Sequence, residues 1–406
     1  MITLLFALSF SHPAAAEPAR LTLGAYLDQV ARRSPGAIAA RLHSSGGVSR
    51  AEGASVLTFP YLFGSASMVD EKAQAAMPAF QGTETKANAF TVGAGINTPF
   101  GLSGKYSWNS GYAHTVGLQF PTIGDYTSFN KLELTLNLVR NGFGSEISAR
   151  QKLIRSGNSA QSLSGDYQLV ATLSQAEAVY WRLAFARQTV QVQRDVLARA
   201  AKLLEWAKRR VSLQLGDRSD LLQAQASHDL HRLDLSTAQE EERASARAFN
   251  SLRDIDSETV SEAVGVPSLP DTLEVSAPAR SGERLDVQAA AEKTKAAQAQ
   301  SQLDKEQLKP NVDISATYAW NGRNVGRDDA ISDAFGSRHP TRSIALVFSV
   351  PLDVPTWRRA IRGADQEIEA AGYELDQTRL AEAREWNDLS AHLAQARSRQ
   401  IGRAHV

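Results

Sequence analysis

Lys131-Leu132-Glu133-Leu134-Thr135-Leu136-Asn137-Leu138 places every apolar residue at an even position and a polar one at each odd position. A strict period of two describes a strand with one apolar and one polar face. Residues 145–215 follow, roughly seventy residues without proline and rich in Ala, Leu, Gln, Arg and Glu, and this composition predicts a single helix. At 1.5 Å of rise per residue such a helix is about 100 Å long, far beyond the diameter of a globular domain. A two-faced strand feeding a helix of that length decides the fold.

Apolar residues recur every seven positions along the helix, through Leu169, Ala176, Leu183, Val190, Leu197, Leu204 and Val211. Val179, Ala186, Ala200 and Ala207 form a second line of mostly small residues. A sustained seven-residue period implies supercoiled packing, and the alanines suit a helix with a neighbour on either side. The helix is expected to stop at Leu215-Gly216, with Asp217 or Ser219 capping a returning helix over residues 220–254. Residues 256–282 carry Pro267, Pro270 and Pro278 and are expected to form a loop. A third helix is predicted over residues 284–308, before Pro310, and a fourth from Pro355 or Thr356 to about Gln400.

Period two returns twice with this clarity. Val312, Ile314, Ala316, Tyr318 and Trp320 alternate with Asp313, Ser315 and Thr317, and Ile344, Leu346, Phe348 and Val350 alternate with Ala345, Val347 and Ser349. Residues 61–68 are a weaker candidate. The two halves of the chain repeat one another: Leu134, Leu136 and Leu138 match Ile344, Leu346 and Phe348, and the same register carries Leu183-Ala184 onto Leu393-Ala394. The repeated unit is helix, strand, strand, long helix, returning helix. It divides the chain into residues 17–282 and an incomplete second copy, 283–406, in which the second tip and its returning helix would lie beyond the last residue. The chain as given is therefore expected to be incomplete.

Residues 1–16 hold an apolar run and the small-residue series Ala14-Ala15-Ala16, the pattern of a secretory signal peptide, although no basic residue precedes the run. No later stretch approaches the ~20 apolar residues of a membrane-spanning helix, so any crossing of a bilayer must be made by a β-barrel. Cysteine is absent, which excludes disulfides, thiolate metal sites and a lipid-anchored N-terminal cysteine. Lys+Arg and Asp+Glu balance at 44 each and are interspersed, which leaves no basic face for nucleic acid.

The order and spacing of these parts resemble the TolC-like outer-membrane factors. The residues that carry the resemblance are Leu21-Thr22-Leu23 with Leu27, Val30 and Ser34-Pro35; Ala178-Val179-Tyr180-Trp181 with Leu183; Arg210 and Gly216 with Asp220-Leu221-Leu222 and Ala224-Gln225-Ala226; Arg284 and Asp286 with Lys309-Pro310; and Val350-Pro351-Leu352-Asp353. The resemblance implies an α+β membrane protein: a homotrimer in which each protomer gives four strands to one transmembrane β-barrel, continued by a long periplasmic α-helical barrel. It implies a passive exit duct in the outer membrane for efflux or type I secretion, without cofactor or enzymatic activity. Its partners would be outer-membrane lipid, a periplasmic adaptor (membrane fusion) protein and an inner-membrane transporter. The lipid-facing residues would be Leu132, Leu134, Leu136, Leu138, Val312, Ile314, Tyr318, Ile344, Leu346 and Phe348. Adaptor docking would fall to the tip residues Leu215, Gly216, Asp217, Asp220 and Leu221, which equally make an ordinary helix-turn-helix stop.

One departure from the family pattern concerns residues 89–112. Phe90, Val92, Ala94 and Ile96 form one arm of an extra hairpin and Leu102, Tyr106 and Trp108 the other, around residues 99–101. The added strands preserve up-down parity, so the hairpin either joins the barrel wall or projects as a lid. The second repeat has only a polar loop, 321–340, at that place. Elsewhere the residues offer little chemistry. His228 and His231, three apart on a helix, lack the flanking pattern of a zinc site, and Gly93, Gly95, Gly101 and Gly104 open no phosphate-binding helix. A periplasmic coiled-coil adaptor or other coiled-coil structural protein is the alternative reading, but it leaves unexplained why the strand alternation occurs in both halves.

Overall fold

A computed structural model describes residues 20–72, 74, 76–117, 124–265, 279–280, 282–350 and 352–404. Residues 1–16, where a signal peptide is expected, the prolines of the 256–282 segment and Pro351 lie outside them. The chain divides into two compact units, each drawn from both sequence repeats: residues 1–45, 163–285 and 385–406 form one, and 46–162 and 286–384 the other.

The first unit is helical. Strand β1 (Arg20–Leu21) pairs in parallel with β6 (Ala263–Val264), a short strand within a segment expected to be loop. Helix α1 (Leu23–Arg33) starts where the Thr22 hydroxyl accepts the Ala25 N–H and ends at extended Ser34, so that Pro35 opens α2 (Pro35–Glu52). Proline there needs no N–H, which places the break at the Ser-Pro pair. The long helix α4 (Ser145–Ser212) and α5 (Arg218–Ser251) supply the other walls of the core. Leu21, Tyr26, Val30, Ala176, Tyr180, Leu183, Ala246, Phe249 and Val260 form it, with Leu27 and Trp181 packed at its edge. Three aromatic rings meet here, Tyr26 stacking on Phe249 at 4.0 Å and tilting against Tyr180 at 5.8 Å. Their hydroxyls are satisfied by backbone, Tyr180 donating to Leu21 O at 2.8 Å and Tyr26 to Phe249 O at 3.2 Å. The sequence motifs around Leu21 and Tyr180 thus converge on one site, 159 residues apart in the chain.

The second unit is built on a six-stranded antiparallel sheet, β2 (Tyr61–Glu71), β3 (Glu84–Asn97), β4 (Leu102–Val116), β5 (Asp125–Asn137), β7 (Asn311–Asn324) and β8 (Pro340–Ser349), in that order. Helix α3 (Pro78–Gln81) lies between β2 and β3 in sequence. Helix α6 (Leu285–Gln307) precedes β7, and α8 (Val354–Ala404) follows β8. The Asp353 carboxylate caps α8 by accepting the Thr356 N–H at 3.1 Å, and hydrogen bonds from the Thr356 hydroxyl and then from this N–H hold its pKa below the ordinary carboxylate value.

Two expectations are corrected. The polar loop 321–340 contains helix α7 (Arg327–Ala334), seated on β5 and β7. The seat is Gly322, where a Cβ would stand 2.0 Å from the Ala330 carbonyl oxygen, so only glycine admits the helix backbone. The long helix also ends at Ser212 rather than Leu215, and the returning helix begins at Arg218 rather than Asp220.

Candidate functional site

The register is unbroken from β2 to β8, so the side chains on each face can be followed across all six strands. Ile96, Gly104, Leu134, Ala316 and Ile344 stand side by side, and Leu62, Ala94, Tyr106, Leu132, Tyr318 and Arg342 form the next row. Below them run Leu102, Leu136, Ile314 and Leu346, then Val312 and Phe348. Leu138 lies just past β5 and extends the ladder by donating to Val312 O at 2.9 Å. All ten residues assigned to lipid therefore share one face, together with the apolar residues of the 84–116 hairpin.

That face changes character at one level. Tyr106, Trp108, Tyr318 and Trp320 form a belt, with Tyr318 and Trp320 edge to face at 4.6 Å and the Arg342 guanidinium over Tyr318 at 5.4 Å. Their polar tips point away from the leucines: Tyr106 donates to Asn130 Oδ1 at 2.7 Å and Trp108 Nε1 to Ser128 Oγ at 2.9 Å. In the row of Trp108 and Trp320 the same face carries Asn130, which donates to Ala334 O of α7, and beyond it the buried Ser110 and Ser128. From Val312 to Trp320 the strand rises about 27 Å at ~3.4 Å per residue, which a tilt of ~40° reduces to about 21 Å. Apolar bands of transmembrane barrels are ~25 Å tall and edged by aromatic girdles.

The opposite face is mostly polar. Ser103, Lys105, Ser107 and Asn109 continue through Thr127, Lys131, Glu133 and Thr135 to Asp313, Ser315 and Thr317. Side-chain bonds run across it, Asn137 donating to Asp313 at 2.7 Å and Thr91 to Asn109 at 2.5 Å, with Lys131 and Glu133 paired at 2.8 Å. Tyr61, Phe63, Phe129 and Val347 are exceptions, and the rings of the first two cover Gly95 and Gly93 of the neighbouring strand.

At the helical tip, α4 closes with two reversed bonds, Leu215 N–H to Arg210 O at 2.8 Å and Gln214 N–H to Val211 O at 3.0 Å. The residue in the left-handed conformation is Gln214 (φ 59°), not Gly216. Gly216 serves another purpose, because a Cβ there would meet the Arg210 Cβ at 3.0 Å. Asp217 holds the cap position of α5 in extended conformation without a side-chain bond, and Ser219 lies inside the helix. Leu221 packs against Leu204, Ala207 and Ala224, so its first role is to join the two helices. Leu215, Asp217 and Asp220 are exposed, as is Leu222 of the same motif, and so are Trp206 and Leu213, which sequence reading did not single out for the tip.

No protein-family model matches the sequence, and no curated protein sequence matches it. Solved structures do. The outer membrane protein VceC of Vibrio cholerae aligns at a TM-score of 0.64 over 94% of this chain and 81% of that one, with 16% identity. The outer-membrane channel OprN aligns at 0.68 over 94% and 76%, with 15% identity. The CmeC outer membrane channel of Campylobacter jejuni aligns at 0.64 over 98% and 79%, also with 15% identity. This chain has the TolC-like outer-membrane channel fold.

Within that fold the heptad line of α4 is the buried one, with Ala176, Leu183, Val190 and Leu204 all inside. A second line at the same spacing, Phe185, Val192 and Trp206, interrupted by Arg199, is more than half exposed in the single chain. The two histidines each face a neighbouring carboxylate rather than each other, His228 with Asp229 and His231 with Asp234. Among the described residues no cluster of three or more metal-ligating side chains occurs. The sequence reading also missed buried Arg253, which donates to Glu262 at 2.8 Å, Asn250 at 2.6 Å and Gln29 at 3.1 Å and lies over the Phe249 ring. The hydrogen bond from Arg253 holds the Glu262 carboxyl below its ordinary value, while burial pushes the Tyr26 hydroxyl well above its own. Arg187 donates to the Val260 and Glu262 carbonyls and fastens the segment that leads into β6.

Proposed function

We propose that this chain is one protomer of a homotrimeric outer-membrane exit duct, through which an efflux or type I secretion machine discharges its substrate passively. An inner-membrane transporter supplies the energy, and a periplasmic adaptor docks at the helical tip around Leu215, Gly216, Asp217, Asp220 and Leu221. The observation that carries this reading is the two-faced sheet: a continuous apolar face ending in an aromatic belt, opposite a polar face, on strands with unpaired outer edges. In water such a face would be a liability, whereas in a bilayer it is the surface required. The exposed heptad line Phe185, Val192 and Trp206 supports packing against another copy, since supercoiled helices bury such a stripe.

The test is fractionation and export together. The expressed protein is expected in the outer membrane as a trimer, and Leu215→Asp or Gly216→Val should abolish export while leaving trimers in the membrane. Recovery of the protein as a soluble periplasmic monomer would refute the channel, and loss of trimers in the tip variants would make the tip structural only.

A further inference from the structure

The family resemblance implies four strands per protomer, and this sheet has six. The additional pair, β3 and β4, occupies the middle of the sheet between β2 and β5. Its strands of 14 and 15 residues are as long as their neighbours, and each is paired along nearly its whole length. The turn between them is locked to the junction where β5 leaves for α4. Asn137 N–H donates to Gly101 O at 3.0 Å, and at Gly144 (φ 78°) a Cβ would fall 1.7 Å from the Pro99 oxygen. The hairpin also keeps both faces in phase with the rest of the sheet. Phe90, Val92, Ala94 and Ile96 continue the apolar rows, and Thr91, Ser107 and Asn109 continue the polar face.

The two outer edges complement one another. β8 is exposed at all ten positions and β2 at all but one of its eleven. Ile344, Leu346 and Phe348 on β8 and Leu62 and Met68 on β2 lie on the apolar face and are 64–89% exposed. In lipid each unpaired backbone group costs several kcal/mol, so neither edge can remain open. Because the strand number is even, β8 of one copy runs antiparallel to β2 of the next, and the two have nearly equal lengths.

We infer that β3 and β4 belong to the barrel wall, and that three copies close through β8–β2 contacts into an eighteen-stranded barrel. This inference rests on the trimeric channel proposed above. With ~4.8 Å between strands and a tilt of ~40°, twelve strands enclose a backbone diameter of about 24 Å and eighteen about 36 Å. The hairpin adds mainly small residues to the lumen, Ala89, Thr91, Gly93, Gly95, Ser103, Ser107, Asn109 and Gly111, with Lys105 the only long side chain among its paired positions from 89 to 111. The outer-membrane segment is therefore a wide aqueous pore suited to bulky cargo.

The cysteine-free sequence makes the test clean. Full-length protein in outer-membrane vesicles would carry one introduced cysteine, Val92→Cys on the apolar face or Thr91→Cys on the polar one. Thr91→Cys is expected to react with a membrane-impermeant maleimide at least about tenfold faster than Val92→Cys, and a fluorophore on Val92→Cys should be quenched by brominated lipid. Ser65→Cys on β2, combined with Ser343→Cys, Ala345→Cys or Val347→Cys on β8, should yield covalently linked trimers in at least one combination. The lid alternative predicts instead an intrachain disulfide between Ser65→Cys and Phe129→Cys, residues that adjoin only if β2 pairs directly with β5. That disulfide, or equal labelling at 91 and 92 within intact trimers, would overturn the widened wall and leave the channel standing. Failure to find the chain in the membrane as a trimer would remove both.

Discussion

Placing an arginine at Leu134 measures the proposed environment of the apolar face. Leu134 lies midway between the Val312 row and the Trp320 belt, about 14 Å along the strand from each, and in the proposed barrel would stand near the bilayer midplane. It is 42% exposed in the single chain. If that exposure were to water, Leu134→Arg would change stability by no more than ~0.5 kcal/mol, as surface substitutions usually do. Against lipid the cost is ~2–4 kcal/mol at the midplane, falling to ~0–1 near the interfaces. Leu134→Arg should therefore shift the folding equilibrium by roughly 30- to 1000-fold, at ~1.4 kcal/mol per factor of ten. Thr135→Arg, one residue away on the polar face, should change it little. The assay is denaturant unfolding from lipid vesicles, with Leu132→Arg at an intermediate depth and Leu138→Arg at the edge of the band. Equal effects at 134 and 135, or no dependence on depth along the face, would refute a lipid-facing surface.

The remaining expectations concern the helical unit. Gln214→Gly should strengthen the tip by about 1 kcal/mol, because a non-glycine residue in the left-handed conformation costs ~1–2 kcal/mol, partly offset by the greater freedom of glycine in the unfolded chain; slower amide exchange at residues 210–215 would register the gain. Tyr180→Phe leaves the Leu21 carbonyl without its buried donor and should cost ~1–3 kcal/mol, read from the unfolding midpoint; no change would mean that water replaces the hydroxyl. The Glu262 pKa is lowered in the folded state, so its bond to Arg253 contributes stability in full above the ordinary carboxylate pKa and loses it as pH falls through the depressed value. Glu262→Gln should accordingly weaken the protein near neutrality and flatten this part of its acid sensitivity, and parallel pH–stability curves for the two proteins would contradict that assignment.

What the sequence determined by itself was whatever a local period encodes. Strand alternation at residues 131–138, 312–320 and 344–350 and the seven-residue line of the long helix each repeat over many residues, so the buried face could be assigned before any neighbour was known. Tertiary structure decided the rest, for reasons visible in particular residues. Helix α7 is short and carries three aspartates, and it is held by Ala330 and Ala334 against Gly322 and Asn130, contacts that no window of sequence contains. The left-handed residue is Gln214 because the reversed bonds from Leu215 to Arg210 and from Gln214 to Val211 close the helix there. Arg253 meets Gln29 across 224 residues, so its role depends on α1 folding back onto α5. The hairpin of residues 84–116 could be seen as a hairpin in the sequence, but its place inside the sheet was not encoded locally. That place follows from the backbone hydrogen bonds it exchanges with β2 and β5, and from the Pro99–Gly144 contact that holds its turn against the helix junction.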